Sequence, residues 1–84
     1  ANLPKDIEFE QFCQLVLRNL LAFDASPEIP KTRDEIDTLR EDYKSGAPSG
    51  IRRNYDDEFK ERLGYILINL FGEQGFLILV AKPN

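Results

Sequence analysis

Carboxylates are the only reactive groups that this sequence holds in number. Its 84 residues include 15 acidic residues, no His and one cysteine. General acid–base catalysis needs a carboxyl group whose pKa is displaced in a cleft. The two densest acidic sets instead fall on the polar face or in the first turn of predicted helices, so we interpret them as solvated surface acids and predict no catalytic residue. These sets are Asp34/Asp37/Glu41 and Asp56/Asp57/Glu58.

The sequence does not predict a metal or thiol site either. Zinc, copper and haem sites need several nitrogen or sulfur ligands, and Cys13 alone cannot supply them. With no His to activate it, Cys13 inside an apolar helix is interpreted as a buried thiol. A single cysteine forms no internal disulfide, and the N-terminal residues contain no apolar signal segment. We therefore expect no cofactor, no enzymatic activity and a cytoplasmic location, with the nucleus as the alternative.

The pair Arg52–Arg53 is the feature that best fits an anion site. It precedes a predicted helix N-terminus, where backbone N–H groups and two guanidinium groups could bind a phosphate or carboxylate. The spacing matches no phosphate loop. The net charge of −4 disfavours nucleic acid and anionic membranes. The longest apolar run, 76–81, is also far shorter than the roughly 20 residues that span a bilayer. A nucleic-acid-associated module using Arg52 and Arg53 is therefore ranked behind the two protein-binding functions given below.

Two amphipathic helices are predicted in the first half of the chain. Apolar residues at three- and four-residue steps predict the first helix over 6–23, with Asp6 as its N-cap. Further aliphatic residues widen its stripe, which places this helix centrally in the core: Ile7, Leu15, Leu17 and Leu21. A loop with two prolines is expected over 24–31. Thr32 and Glu35 then form a capping box that opens a second, more superficial helix over 32–44.

The second half of the chain predicts one more helix and an ambiguous apolar segment. A helix is expected over 55–71, capped by Asn54 and ended by Gly72. Residues 76–82 are apolar on every side, so periodicity cannot separate a buried strand from a short helix. The expected fold is a mostly α, three-helix single domain over 1–84. The alternative is an α+β fold with a C-terminal hairpin, 65–71 paired with 76–82.

Because no catalytic or metal-binding apparatus is predicted, the expected function is a non-enzymatic protein–protein interaction module or a small adaptor or regulatory protein. The alternative is an acidic inhibitor or immunity-type protein that covers a basic enzyme. The segment Phe76–Val80 either completes the core or forms an interface, including one between two copies of the chain. The candidate partner-binding residues are Asp34, Asp37, Glu41, Asp42, Arg52, Arg53, Leu77 and Leu79.

Overall fold

A computed structural model describes residues 3–4, 6–23, 26–46 and 52–82, which form three α-helices and no strand. Helix α1 spans Phe9–Asn19 and continues as a 3₁₀ turn, Leu20–Phe23. Helix α2 spans Glu28–Gly46, and α3 spans Arg52–Leu79 with a break at Gly72. The mostly helical, three-helix prediction is confirmed. The alternative C-terminal hairpin is wrong, since 65–71 and 76–79 are both helical.

Helix α1 begins at Phe9, three residues after the predicted start of the range 6–23. Its N-cap is Glu8 rather than Asp6, and the Glu8 backbone N–H donates to Gln11 Oε1 at 3.0 Å in a capping box. Asp6 and Ile7 form a bend outside the helix. The Ile7 carbonyl accepts a hydrogen bond from Lys60 Nζ at 3.0 Å, so a long-range contact holds this segment in its non-helical path.

Helix α2 begins four residues earlier than predicted, so the expected loop 24–31 is wrong in its second half. Ser26 opens the helix, because its Oγ accepts from the Glu28 backbone N–H at 3.3 Å. Pro27 directly precedes the helix and Pro30 lies in its first turn, where a missing N–H group would have no intrahelical partner in any case. The predicted Thr32/Glu35 capping box is also wrong. Thr32 is buried inside the helix, and its hydroxyl donates to the Glu28 carbonyl at 2.7 Å.

Helix α3 begins at Arg52, ahead of the predicted cap Asn54, and does not end at Gly72. At Gly72 the backbone leaves helical geometry, with φ +76° and ψ 175°. This region is closed to residues with a Cβ atom, so the helix is interrupted at the glycine where its end was predicted. The helix then resumes to Leu79, and the apolar residues on one side of this last part, Phe76, Leu79 and Val80, are buried in the core.

The three helices form an up-down-up bundle. Arg40, late in α2, pairs with Glu10 at the start of α1, so these helices run antiparallel. The Phe9 and Phe59 ring centroids lie 5.4 Å apart near the starts of α1 and α3, and those of Phe23 and Phe71 lie 4.9 Å apart at the other end, so α1 and α3 run parallel up to Gly72. Beyond the break, Asn19 Nδ2 donates to the Leu79 and Ala81 carbonyls, both at 2.9 Å. The buried core draws on all three helices and the 3₁₀ turn: Phe9, Phe12, Cys13, Val16, Leu20, Ile36, Leu39, Tyr43, Phe59, Leu63, Leu67, Phe76, Leu79 and Val80.

Candidate interaction surface

Three of the four predicted acidic residues of α2 form one exposed row. Asp34, Asp37 and Glu41 are exposed on the side of α2 opposite its buried residues, at helical spacing. Asp42 is exposed as well but faces α3, where its carboxylate oxygen Oδ2 lies 4.0 Å from Arg62 Nη2. The structure therefore groups three of these acids and separates the fourth.

The second acidic set is not uniformly solvated, which corrects the sequence interpretation. Asp57 and Glu58 are exposed, but only 6% of Asp56 is accessible to solvent. The Asp56 carboxylate accepts a hydrogen bond from the Tyr43 hydroxyl, between the end of α2 and the start of α3. This buried bond connects two helices, and the aromatic rings of Tyr43, Tyr55 and Phe59 pack against one another in tilted and edge-on arrangements.

The C-terminal candidates separate into core and surface. Leu79 is fully buried, so it is removed from the candidate partner-binding residues. Of its neighbours, Leu77 is 45% and Ile78 49% exposed, whereas Phe76 and Val80 are buried. Most of the segment Phe76–Val80 therefore belongs to the chain's own core. Arg52 and Arg53 lie in the first turn of α3, and their side chains lie outside the part of the chain that the structure describes.

Cys13 is buried as predicted, on the core side of α1. Burial raises the pKa of its thiol to about 12, so the thiolate that a nucleophile or a metal ligand requires is suppressed at neutral pH. Within the described ranges, no three acidic or cysteine side chains are grouped so as to hold a metal ion. The same ranges contain no helix that combines the length and the apolar character needed to cross a bilayer.

The outward side of α1 is the surface that sequence reasoning missed. We call it the α1 outer face. It borders an open depression of about 980 Å³ and combines eight residues of α1 and its flanks with Arg33 of α2 and with Lys82, which follows α3. Its residues are Ile7, Glu10, Gln11, Gln14, Leu15, Leu17, Arg18, Leu21, Arg33 and Lys82.

The α1 outer face is broad and open rather than an enclosed cavity. At about 100° per residue, Leu15 and Leu17 lie roughly 160° apart around the helix, so the depression wraps around α1. The aliphatic residues of this face were predicted to widen the core stripe, and this prediction is wrong in part. Leu21 is 66% exposed, the most exposed large hydrophobic residue among those described, and Leu15 and Leu17 are half-buried.

Positive charge gathers at one end of the α1 outer face. Arg18, Arg33 and Lys82 line it, and all three are exposed. Glu10 contributes a carboxylate to this face, and this group accepts a hydrogen bond from Arg40 Nε at 3.1 Å. This hydrogen bond lowers the pKa of Glu10. Its charge is therefore already balanced. The face is thus locally cationic on a chain whose net charge is −4.

Comparisons of the chain with models of protein families, with curated proteins and with solved structures give no match.

Proposed function

We propose that this protein is a non-enzymatic protein–protein interaction module and that it binds its partner through the α1 outer face. The observation that carries the proposal is the exposure of Leu21, 66%, beside the half-buried Leu17 and the cations Arg18 and Arg33. An exposed aliphatic patch rimmed by polar and charged side chains is typical of a surface that is covered by another protein.

The shape of this face favours a macromolecular partner over a small molecule. Small-molecule sites are concave and bury most of their ligand, whereas this depression is open and wraps around a helix. The lining combines aliphatic side chains with the amides of Gln11 and Gln14 and with long cationic side chains. A protein surface can cover such a mixture because it supplies both apolar contacts and hydrogen-bonding groups.

Selection from a displayed library of random peptides tests this proposal. Peptides enriched on the wild-type protein are re-measured on Leu21→Glu and on Leu77→Glu, a matched variant on α3 that is also partly exposed. We expect binding to be lost on Leu21→Glu and retained on Leu77→Glu, with the thermal melting of both variants close to that of wild type. Peptides that bind Leu21→Glu as well as wild type, or that lose binding only on Leu77→Glu, would refute the α1 outer face as the binding surface.

A second candidate function follows from the exposed acidic row on α2. This row consists of Asp34, Asp37 and Glu41, which lie next to one another on the side of α2 opposite the core. An acidic inhibitor of a basic enzyme would present its carboxylates in this way. Charge-steered association of this kind slows steeply with added salt. The association rate of a complex with a basic protein should therefore depend on ionic strength and on these three acids. A rate that is insensitive to salt, or to a triple substitution of the acids by Asn and Gln, would exclude the inhibitor function.

A further inference from the structure

We infer that the α1 outer face binds an amphipathic helix that carries acidic residues. This inference rests on the proposed function, because it specifies the chemistry of the partner for the same surface. It combines three observations: the charge at one end of the face, the helical geometry of its aliphatic residues, and the polar amides between them.

Charge complementarity selects an acidic partner. Arg18, Arg33 and Lys82 come from three separate parts of the chain and line the same depression. Glu10 does not offset them, because its carboxylate is hydrogen-bonded to Arg40. A partner with carboxylates opposite this end gains three favourable contacts, whereas a basic partner meets like charges.

The geometry of the face selects a helix. The described residues contain no strand, so the described part of the chain offers no sheet edge to which an extended peptide could add. Leu17 and Leu21 instead stand one helical turn apart, and Gln14 and Arg18 form a parallel row. Such rows form ridges between which the side chains of a second helix can pack. Helix α1 and the 3₁₀ turn together extend about 25 Å, the length of a helix of roughly 16 residues.

The polar groups of the face select a polypeptide over a lipid surface. Gln11 and Gln14 are exposed and lie between the aliphatic side chains. Gln11 Oε1 accepts from the Glu8 N–H, and Gln14 makes a hydrogen bond with Glu10. Insertion into hydrocarbon would strip water from the remaining donor and acceptor positions of both amides, whereas polar side chains of a peptide can replace that water. The net charge of −4 also opposes close approach to an anionic membrane.

Three synthetic peptides of about 16 residues test the inference by fluorescence anisotropy. The first presents leucines along one helix face with flanking glutamates. The second replaces each glutamate by lysine, and the third keeps the composition of the first but distributes the leucines around the helix. They are measured on the wild-type protein, on the double variant Arg18→Glu/Arg33→Glu, and on Lys31→Glu as the matched control, since Lys31 is an exposed cation of α2 outside this face.

We expect the wild-type protein to bind the glutamate peptide about tenfold or more tightly than the lysine peptide at about 50 mM salt, with a smaller ratio at about 500 mM. The double variant should reverse this preference, Lys31→Glu should leave it intact, and the third peptide should bind weakly. Equal binding of the first two peptides would overturn the acidic class of partner. If that binding still requires Leu21, the proposed function stands.

Other outcomes overturn the helical partner itself. Equal binding of the first and third peptides would show that no helix face is recognised. A second outcome also excludes the helical partner: none of the three synthetic peptides binds, while the binding of library-selected peptides still requires Leu21. In that case the proposed function stands. Binding to phosphatidylcholine vesicles containing about one quarter phosphatidylserine, without peptide binding, would assign the face to membranes. A dimer in sedimentation equilibrium that Leu21→Glu dissociates would assign it to a second copy of this chain.

Discussion

Replacement of Lys60 by methionine tests the most unusual polar contact of the bundle. Lys60 lies on the buried side of α3, and only 3% of its surface is accessible to solvent. Its ammonium group donates to the Pro4 carbonyl at 3.1 Å and to the Ile7 carbonyl at 3.0 Å, and lies 3.3 Å from Asp57 Oδ1. These three contacts account for its three N–H donors. The two carbonyl hydrogen bonds of Lys60 connect the segment that precedes α1 to α3.

The expected loss of stability follows from these contacts. A hydrogen bond to a charged group contributes about 1.5–3 kcal/mol, so the two carbonyl bonds contribute about 3–6 kcal/mol together. Methionine retains the apolar stem and removes the cost of burying an ammonium group, which amounts to several kcal/mol. Pro4 and Ile7 are half-buried, so water can reach their carbonyls when the segment frays. We expect Lys60→Met to lower the free energy of unfolding by about 2 kcal/mol, or the melting temperature by about 10 °C.

Urea denaturation followed by circular dichroism measures this change, with an unchanged slope against urea as evidence that the compactness of both states is preserved. Lys31→Met, at an exposed position of α2, is the matched control and should change stability by less than about 0.5 kcal/mol. Asp57→Asn should cost equally little, because Asp57 is 62% exposed and its ion pair is solvated. A loss for Lys60→Met no larger than that for Asp57→Asn would refute the reasoning, because the carbonyl bonds would then contribute nothing.

Four further predictions follow from individual contacts. Gly72→Ala should lower the free energy of unfolding by about 2 kcal/mol, because φ +76° with ψ 175° is closed to alanine; a loss below about 0.5 kcal/mol in urea denaturation would contradict this. Glu10→Gln should cost at most about 1 kcal/mol at pH 7. The lowered pKa of Glu10 means that its contribution is present above the ordinary value of 4.5 and is lost as the pH falls, so wild type and variant should converge in acid melts. Cys13 should resist a thiol reagent at pH 8 in the folded protein and react only in denaturant, whereas a native reaction at the unfolded rate would contradict its burial. Leu79→Ala should cost about 2–5 kcal/mol and Leu77→Ala less than about 0.5 kcal/mol, so equal losses would contradict the orientation of the last helical turns.

The sequence predicts those features that depend on local spacing. Apolar residues at three- and four-residue steps predict α1, and Phe9, Phe12, Val16 and Leu20 are all buried. The same reasoning predicts the long helix before Gly72 and an end of that helix at Gly72, where the structure has a break, because apolar spacing and a glycine both act within a few residues. Cys13 is likewise correctly predicted to be buried.

Helix boundaries are less predictable because several residue types serve two purposes. Two prolines within eight residues indicated a loop, but a proline at the start of a helix is tolerated as readily as one in a turn. Ser26 fixes the start of α2 because its Oγ accepts a hydrogen bond from the Glu28 N–H. Thr32 then lies inside the helix. The start of α1 depends in the same way on Lys60, more than fifty residues away in the sequence, because Lys60 binds the Ile7 carbonyl.

The candidate surface depends on tertiary structure to a greater degree. Spacing and composition are local properties, so they suffice to predict the three helices of the described ranges, an apolar core and a negative net charge. The sequence could not assign residues 76–79 to helix or strand, because a run that is apolar on every side carries no periodicity. Nor could it show that Arg18, Arg33 and Lys82 meet. Only the antiparallel packing of α2 on α1 and the return of α3 beside them bring these cations to one end of α1, next to the exposed Leu21.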